Sequence, residues 1–126
     1  MVRTVLSVIA GLAAWIVVVM AVDIAMRHFW PEYAAVFKAL TFTLPMMLAR
    51  LIESTAALII AAIVIVRIAP ASRYASWAFA IVMLAIFAPT HYIVWQKFPI
   101  WYHAFFLSSL IVVPVVVGSV MRGSKA

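Results

Sequence analysis

The sequence predicts an all-α fold: four transmembrane helices in an antiparallel bundle, with a short interfacial amphipathic helix between the first and the second. Three observations carry this expectation. The 126-residue chain is 70% hydrophobic and only 10% charged, with a mean hydropathy of +1.26, whereas soluble domains carry about a quarter charged residues. Four apolar stretches each reach the roughly 20 residues that a helix needs to cross a hydrocarbon core of about 30 Å. The stretches are continuous rather than alternating, which excludes a transmembrane β-barrel. At this length one integral membrane domain, residues 1–126, accounts for the chain.

The first span, about 4–26, follows Arg3 and stays apolar from Thr4 to Val22 before meeting Asp23. A secretory leader competes with it, because Val19-Met20-Ala21 resembles a cleavage site. An apolar run of 19 residues exceeds the signal core, usually about 7–15 residues, and favours an uncleaved span. The interfacial helix is expected over about 31–41: Pro31 suits a first helical turn, and Trp30, Tyr33, Phe37 and Leu40 recur at spacings of three and four, with Glu32 and Lys38 elsewhere. The second span covers about 45–66, the third 74–96 and the fourth 99–121. Tight turns around Pro70 and around Gln96-Lys97-Phe98-Pro99 make neighbouring spans antiparallel. Inside the last two spans Pro89 and Pro114 lack an amide proton and free the carbonyls of Ala85 and Leu110.

Orientation follows from lysine and arginine in short flanking segments. With both termini cytoplasmic, the inner set is Arg3, Arg67, Arg73, Arg122 and Lys125, and the outer set is Arg27, Lys38, Arg50 and Lys97. Five against four is a narrow margin, and dual topology stays open. Trp30, Tyr33, Tyr92, Trp95, Trp101 and Tyr102 then form an aromatic belt on the outer side. The location expected is the bacterial inner membrane, multi-pass. The net charge of +6 is spread over helix ends, so it marks orientation and not a nucleic-acid stripe. With no cysteine, disulfides and thiolate metal ligation are excluded.

The chain holds three acidic residues and three histidines, Asp23, Glu32, Glu53, His28, His91 and His103, all expected toward one face of the membrane. Asp23 lies 20 residues past Arg3, His91 18 past Arg73 and His103 19 before Arg122, which places each about 27–30 Å from the inner charges. Glu53 lies 14 residues before Arg67, about 21 Å away, and so below the outer boundary. Only 13 uncharged residues separate it from Arg67, too few to span without it. A carboxylate at that depth faces the bundle interior or is neutralised. Arg50 stands one turn earlier as its local partner, and Asp23 and Arg27 form a second within-helix pair. The face holding Arg50 and Glu53 continues through Ala57 and Ala61, small residues that let helices approach closely. His91 and His103 are expected at similar depth on adjacent helices, as hydrogen-bonding interfacial groups or as a weak metal or haem site.

The stretch from Thr90 to His103, THYIVWQKFPIWYH, resembles the last hairpin of small four-span bacterial membrane proteins, largely uncharacterised. The resemblance implies no activity; it draws weight to His91, Trp95, Pro99, Trp101, Tyr102 and His103. Small multidrug transporters fit less well, since their carboxylate lies in the first span. Membrane-associated eicosanoid and glutathione enzymes use a Glu-Arg-Asn-Glu pattern, and this chain has no asparagine.

Three functions are consistent with these residues. The first is a non-enzymatic binding or transport module whose outward pocket is lined by Glu53, Arg50, His91, His103 and Asp23, with walls from Trp95, Trp101 and Tyr102; transport would call for a homo-oligomer. The second is an accessory or assembly subunit of a larger membrane complex. The third is an enzyme acting on a lipid or quinone, with His91, His103 and Glu53 in acid–base roles, although no nucleophile motif is present. The expected surroundings are the lipid bilayer and not nucleic acid, no catalytic residue is assigned, and the sequence names no cofactor.

Overall fold

In the computed structural model, which describes residues 2–72 and 74–123, the described elements are all helical. They are α1 (Val2–Phe29), α2 (Pro31–Val36), α3 (Leu44–Ile68), α4 (Tyr74–Ile93) and α5 (Ile100–Gly123), with a 3₁₀ turn at Trp95–Lys97 before α5. Met1, Arg73 and residues 124–126, including Lys125 of the inner charge set, lie outside the described residues. Four of the helices, α1, α3, α4 and α5, are long and apolar enough to cross a membrane.

The boundaries depart from expectation in three places, the first being α1, which continues to Phe29 rather than ending near 26. α4 stops at Ile93 rather than near 96, because Val94 turns the chain (φ −100°, ψ 21°) into the 3₁₀ turn that leads to Pro99. α2 is six residues long instead of eleven: residues 37–40 form a turn and Leu40 adopts φ 58°, a left-handed conformation that an α-helix cannot continue.

The long helices form a ring in which α1 packs on α3, α3 on α5, α5 on α4 and α4 on α1. α3 is the most enclosed, with half of its apolar window buried against 11% for α1. Lipid tails are as apolar as leucine, so helix association in a bilayer rests on close packing and on polar contacts. Both are present here. α1 turns a stripe of Ser7, Gly11 and Trp15, four residues apart, inward, and α3 meets it with the fully buried Ala57, Ala61 and Ile65. A Cβ on Gly11 would sit 2.8 Å from Ile65 Cδ1, so the two backbones approach where a side chain is missing. Near the far ends of α4 and α5, a Cβ on Gly118 would sit 2.5 Å from Ser76 Oγ.

At the other end α2 covers the ring. Tyr33 is fully buried, and its ring stacks on Phe42 at 5.2 Å and on Trp30 at 5.8 Å. Phe42 in turn stacks on Phe98 at 5.9 Å, and Phe98 on Tyr102 at 4.3 Å. This aromatic column ties α2 and its turn to the start of α5.

Candidate functional site

α1 continues its inward stripe one and two turns beyond Trp15, to Val19 and Asp23, and these three residues line one side of a cavity of about 170 Å³. α3 supplies Arg50, Glu53 and Ser54, α4 supplies Phe87, and α5 supplies Tyr102 and Phe106. Each of the four long helices contributes to it. From Trp15 the aromatic lining runs on without a break: Trp15 meets Phe87 edge-on at 5.0 Å, Phe87 meets Phe106 at 5.4 Å, and Phe106 stacks on Tyr102 at 6.4 Å. Larger depressions, of about 680 Å³ around the 3₁₀ turn and about 540 Å³ along α3 and α5, lie on the outer surface and hold no buried ionisable group.

Glu53 lies nine residues after Leu44 in α3 and is 6% exposed. Its carboxyl group and that of Asp23 line the same cavity, and its Oε1 has no hydrogen-bond partner. Two carboxyl groups facing one small void repel when both are ionised, which favours one proton shared by the pair. Ser54 Oγ and Trp15 Nε1, on the same cavity, are also buried without partners. Buried polar groups are normally satisfied, so three unpartnered atoms around one void single out this cavity as the candidate site.

Arg50 is engaged differently from the within-helix pairing that the sequence suggests. Its Nε donates to the Tyr102 hydroxyl at 3.2 Å and its Nη1 to the Tyr33 hydroxyl at 2.8 Å. Its guanidinium lies over the Phe42 ring, 4.7 Å from the centroid. The Tyr33 hydroxyl in turn donates to Asp23 Oδ1 at 3.2 Å. One hydroxyl on α2 therefore bridges α1 and α3, and Arg50 extends the bridge to α5. Burial pushes the Tyr33 hydroxyl up to about 12, against the opposing pull of Arg50, so it stays a donor across the physiological range. Arg27 likewise turns away from the Asp23 carboxylate: it donates to the Asp23 backbone carbonyl at 3.4 Å and lies over Phe37 at 4.6 Å. His28 and Glu32 are exposed.

His91 and His103 do come together, but outside the cavity. Their Nδ1 atoms are 2.6 Å apart, and both rings are buried. His103 Nε2 lies 3.0 Å from the carbonyl oxygen of Trp95. A carbonyl only accepts, so Nε2 carries a proton; in the neutral ring Nδ1 is then the acceptor, and His91 donates to it from Nδ1. The Trp95 ring stacks flat on His103 (4.4 Å, 8°). His91 packs on Phe106 at 4.6 Å and on Tyr102 at 6.2 Å, the two rings whose other contacts form the cavity wall. Among the described residues, no group of three or more histidine or acidic side chains is placed to hold a metal ion.

Of the residues singled out from sequence, the structure brings Asp23, Arg50, Glu53 and Tyr102 to one cavity and pairs His91 with His103 beside it. Trp95 caps the histidines and is 46% exposed; Trp101, 43% exposed, faces the groove between α3 and α5. Neither lines the cavity. Trp15, Tyr33, Phe87 and Phe106 were missed. The four-residue stripe from Ser7 through Gly11 and Trp15 to Asp23 carried a signal for Trp15; Tyr33 was legible only as one member of an apolar face. Compared with protein-family models, with curated proteins and with solved structures, the chain matches none.

Proposed function

We propose that this chain is a multi-pass protein of the bacterial inner membrane, an antiparallel four-helix bundle with both termini cytoplasmic and α2 in the outer interface. It acts as a non-enzymatic binding module, and in a homo-oligomer as a transport module, for a small polar solute and a proton. One observation carries the reading: Glu53, buried well inside α3, presents an unpartnered oxygen to a cavity shared by all four long helices. Ionisable groups at membrane depth are costly and cluster where ions, protons or ligands are handled. The void of about 170 Å³ is smaller than the roughly 300–1,000 Å³ of sites for drug-sized ligands, which restricts the solute to a few heavy atoms. Aromatic walls with a few placed polar groups suit recognition more than acid–base turnover.

The test is infrared difference spectroscopy of the protein in nanodiscs between high and low pH. One protonated carboxyl should appear and disappear with pH, and Glu53→Gln should remove it. Loss of the proposal would follow if the spectra of the two proteins were the same. The accessory-subunit reading is favoured by a different observation, the apolar groove of about 540 Å³ flanked by Ile52, Ile59, Trp101 and Phe105, which would seat a partner's helix. Co-purification of a larger complex, lost on replacing Trp101, would select it.

A further inference from the structure

We propose that the cavity exchanges one proton for one small organic monocation, with the Asp23–Glu53 carboxyl pair as the common binding group. This rests on the binding-site reading above and names its solute.

The polarity of the site decides the sign of the ligand. Arg50 is already committed, with two of its nitrogens on tyrosine hydroxyls and its face on Phe42. The charged group left without a partner is the acid, at Glu53 Oε1. A solute that answers it must donate hydrogen bonds and bring positive charge.

Charge balance fixes the magnitude. The charged residues lining the cavity are Asp23, Glu53 and Arg50. With one proton held between the carboxyls, the pair carries one negative charge, and Arg50 cancels it. Removing that proton leaves a net negative charge in a low-dielectric enclosure, which is costly. A monocation restores neutrality; an anion or a divalent ion does not. In the exchange only an O–H bond breaks. The cation enters, the carboxyl proton passes to water as hydronium, and two carboxylates remain around the bound cation and Arg50. No electrons move.

The walls decide the class. Trp15, Phe87, Phe106 and Tyr102 surround the void with ring faces and edges, and aromatic faces attract organic cations. The volume of 170 Å³ is about five to six waters at roughly 30 Å³ each. A planar cation of about four heavy atoms fits with water to spare, and that water can serve the orphaned Trp15 N–H and Ser54 hydroxyl. The other titratable groups facing the pair are Tyr33 from α2, Arg50 from α3 and Tyr102 from α5. α4 offers Phe87 to the cavity, and its His91 lies against Tyr102 and Phe106, outside the lining.

The experiment uses purified full-length protein in nanodiscs, weakly buffered with a pH-indicator dye, and adds guanidinium chloride against sodium chloride. Guanidinium should release about one proton per chain with saturation, and sodium almost none. Its apparent Kd should rise tenfold for each pH unit below the titration of the pair, as one-proton linkage requires. Glu53→Gln, checked for helical content by circular dichroism, should abolish the release; Asp23→Asn serves where that variant does not fold. Guanidinium binding without proton release, or glycine binding in its place while the infrared carboxyl signal persists, overturns the exchange and leaves the binding-site reading standing. Absence of the infrared signal together with absence of binding overturns both.

Discussion

Two buried polar clusters lie side by side at the α2 end of the bundle, divided by the rings of Tyr102 and Phe106. The histidine pair is closed: the two rings share a hydrogen bond, His103 has a second one to the Trp95 carbonyl, and the Trp95 ring stacks on one side. The carboxyl pair is open: a void touches it, and Glu53, Ser54 and Trp15 leave atoms unserved. Burial alone therefore does not mark a ligand site. What separates the clusters is whether the protein satisfies its own groups, because an unmet buried donor or acceptor bears the whole desolvation penalty.

The comparison can be broken most severely at Arg50. Arg50→Met removes the cation from between two tyrosines and leaves the carboxyl pair uncompensated, so it should lower unfolding stability by about 3–5 kcal/mol in detergent. Arg50→Lys should recover only part, since an ammonium cannot hold both hydroxyls in the same fork geometry. An equal loss in both variants would fit a simple charge requirement instead.

Next in size are the histidines. His103→Ala strands the His91 Nδ1–H and should cost about 2–3 kcal/mol. Replacing both rings by phenylalanine should cost far less, about 1 kcal/mol, because both partners disappear together. Nitrogen-15 spectra should show His103 protonated at Nε2 and His91 at Nδ1. A double variant as damaged as the single one would move the histidines from the closed class to the open one.

Tyr33→Phe keeps the aromatic column but strands Arg50 Nη1 and Asp23 Oδ1, for about 1.5–2 kcal/mol. In the ultraviolet one tyrosine should ionise near 12, and that step should vanish in the variant. Because the folded group holds its proton more tightly than the unfolded one, its contribution is intact below about pH 10 and is lost as pH climbs toward 12. Stability of the wild type should therefore fall more steeply than that of Tyr33→Phe in that window. Smallest is Gly11→Ala, in the dry half. Its methyl would sit 2.8 Å from both Cδ1 and Cγ1 of the fully buried Ile65, a β-branched side chain with little freedom to move. The crowding outweighs the gain in helix propensity of about 1 kcal/mol and leaves a net loss of about 1 kcal/mol in thermal or denaturant unfolding.

The four long helices were legible because their signal is composition over some twenty residues, which no tertiary detail can hide. Glu53 was legible for the same reason, as its span is too short without it. The partners were not. Spacing of three and four pointed Arg50 at Glu53 and Arg27 at Asp23, yet each arginine found acceptors elsewhere: two hydroxyls from other segments for Arg50, a backbone carbonyl for Arg27. Helical periodicity describes what a residue can reach within its own helix, and says nothing of a better neighbour arriving from another. Tyr33 illustrates the converse, since an apolar-face pattern cannot distinguish a ring lying on a surface from one that plugs the bundle. Trp101 was expected in the pocket wall beside Tyr102, but adjacent residues on a helix point about 100° apart, so only one of them faces in.

The acceptor that holds His103 is a main-chain oxygen, that of Trp95, and no substitution of a side chain can delete it. The tautomer of the neutral imidazole is thus written into the course of the loop rather than into the identity of any neighbour. Sequence drift across this turn would spare the imidazole's protonation pattern so long as chain length and the bend before Pro99 survive; a one-residue insertion there would scramble it at once.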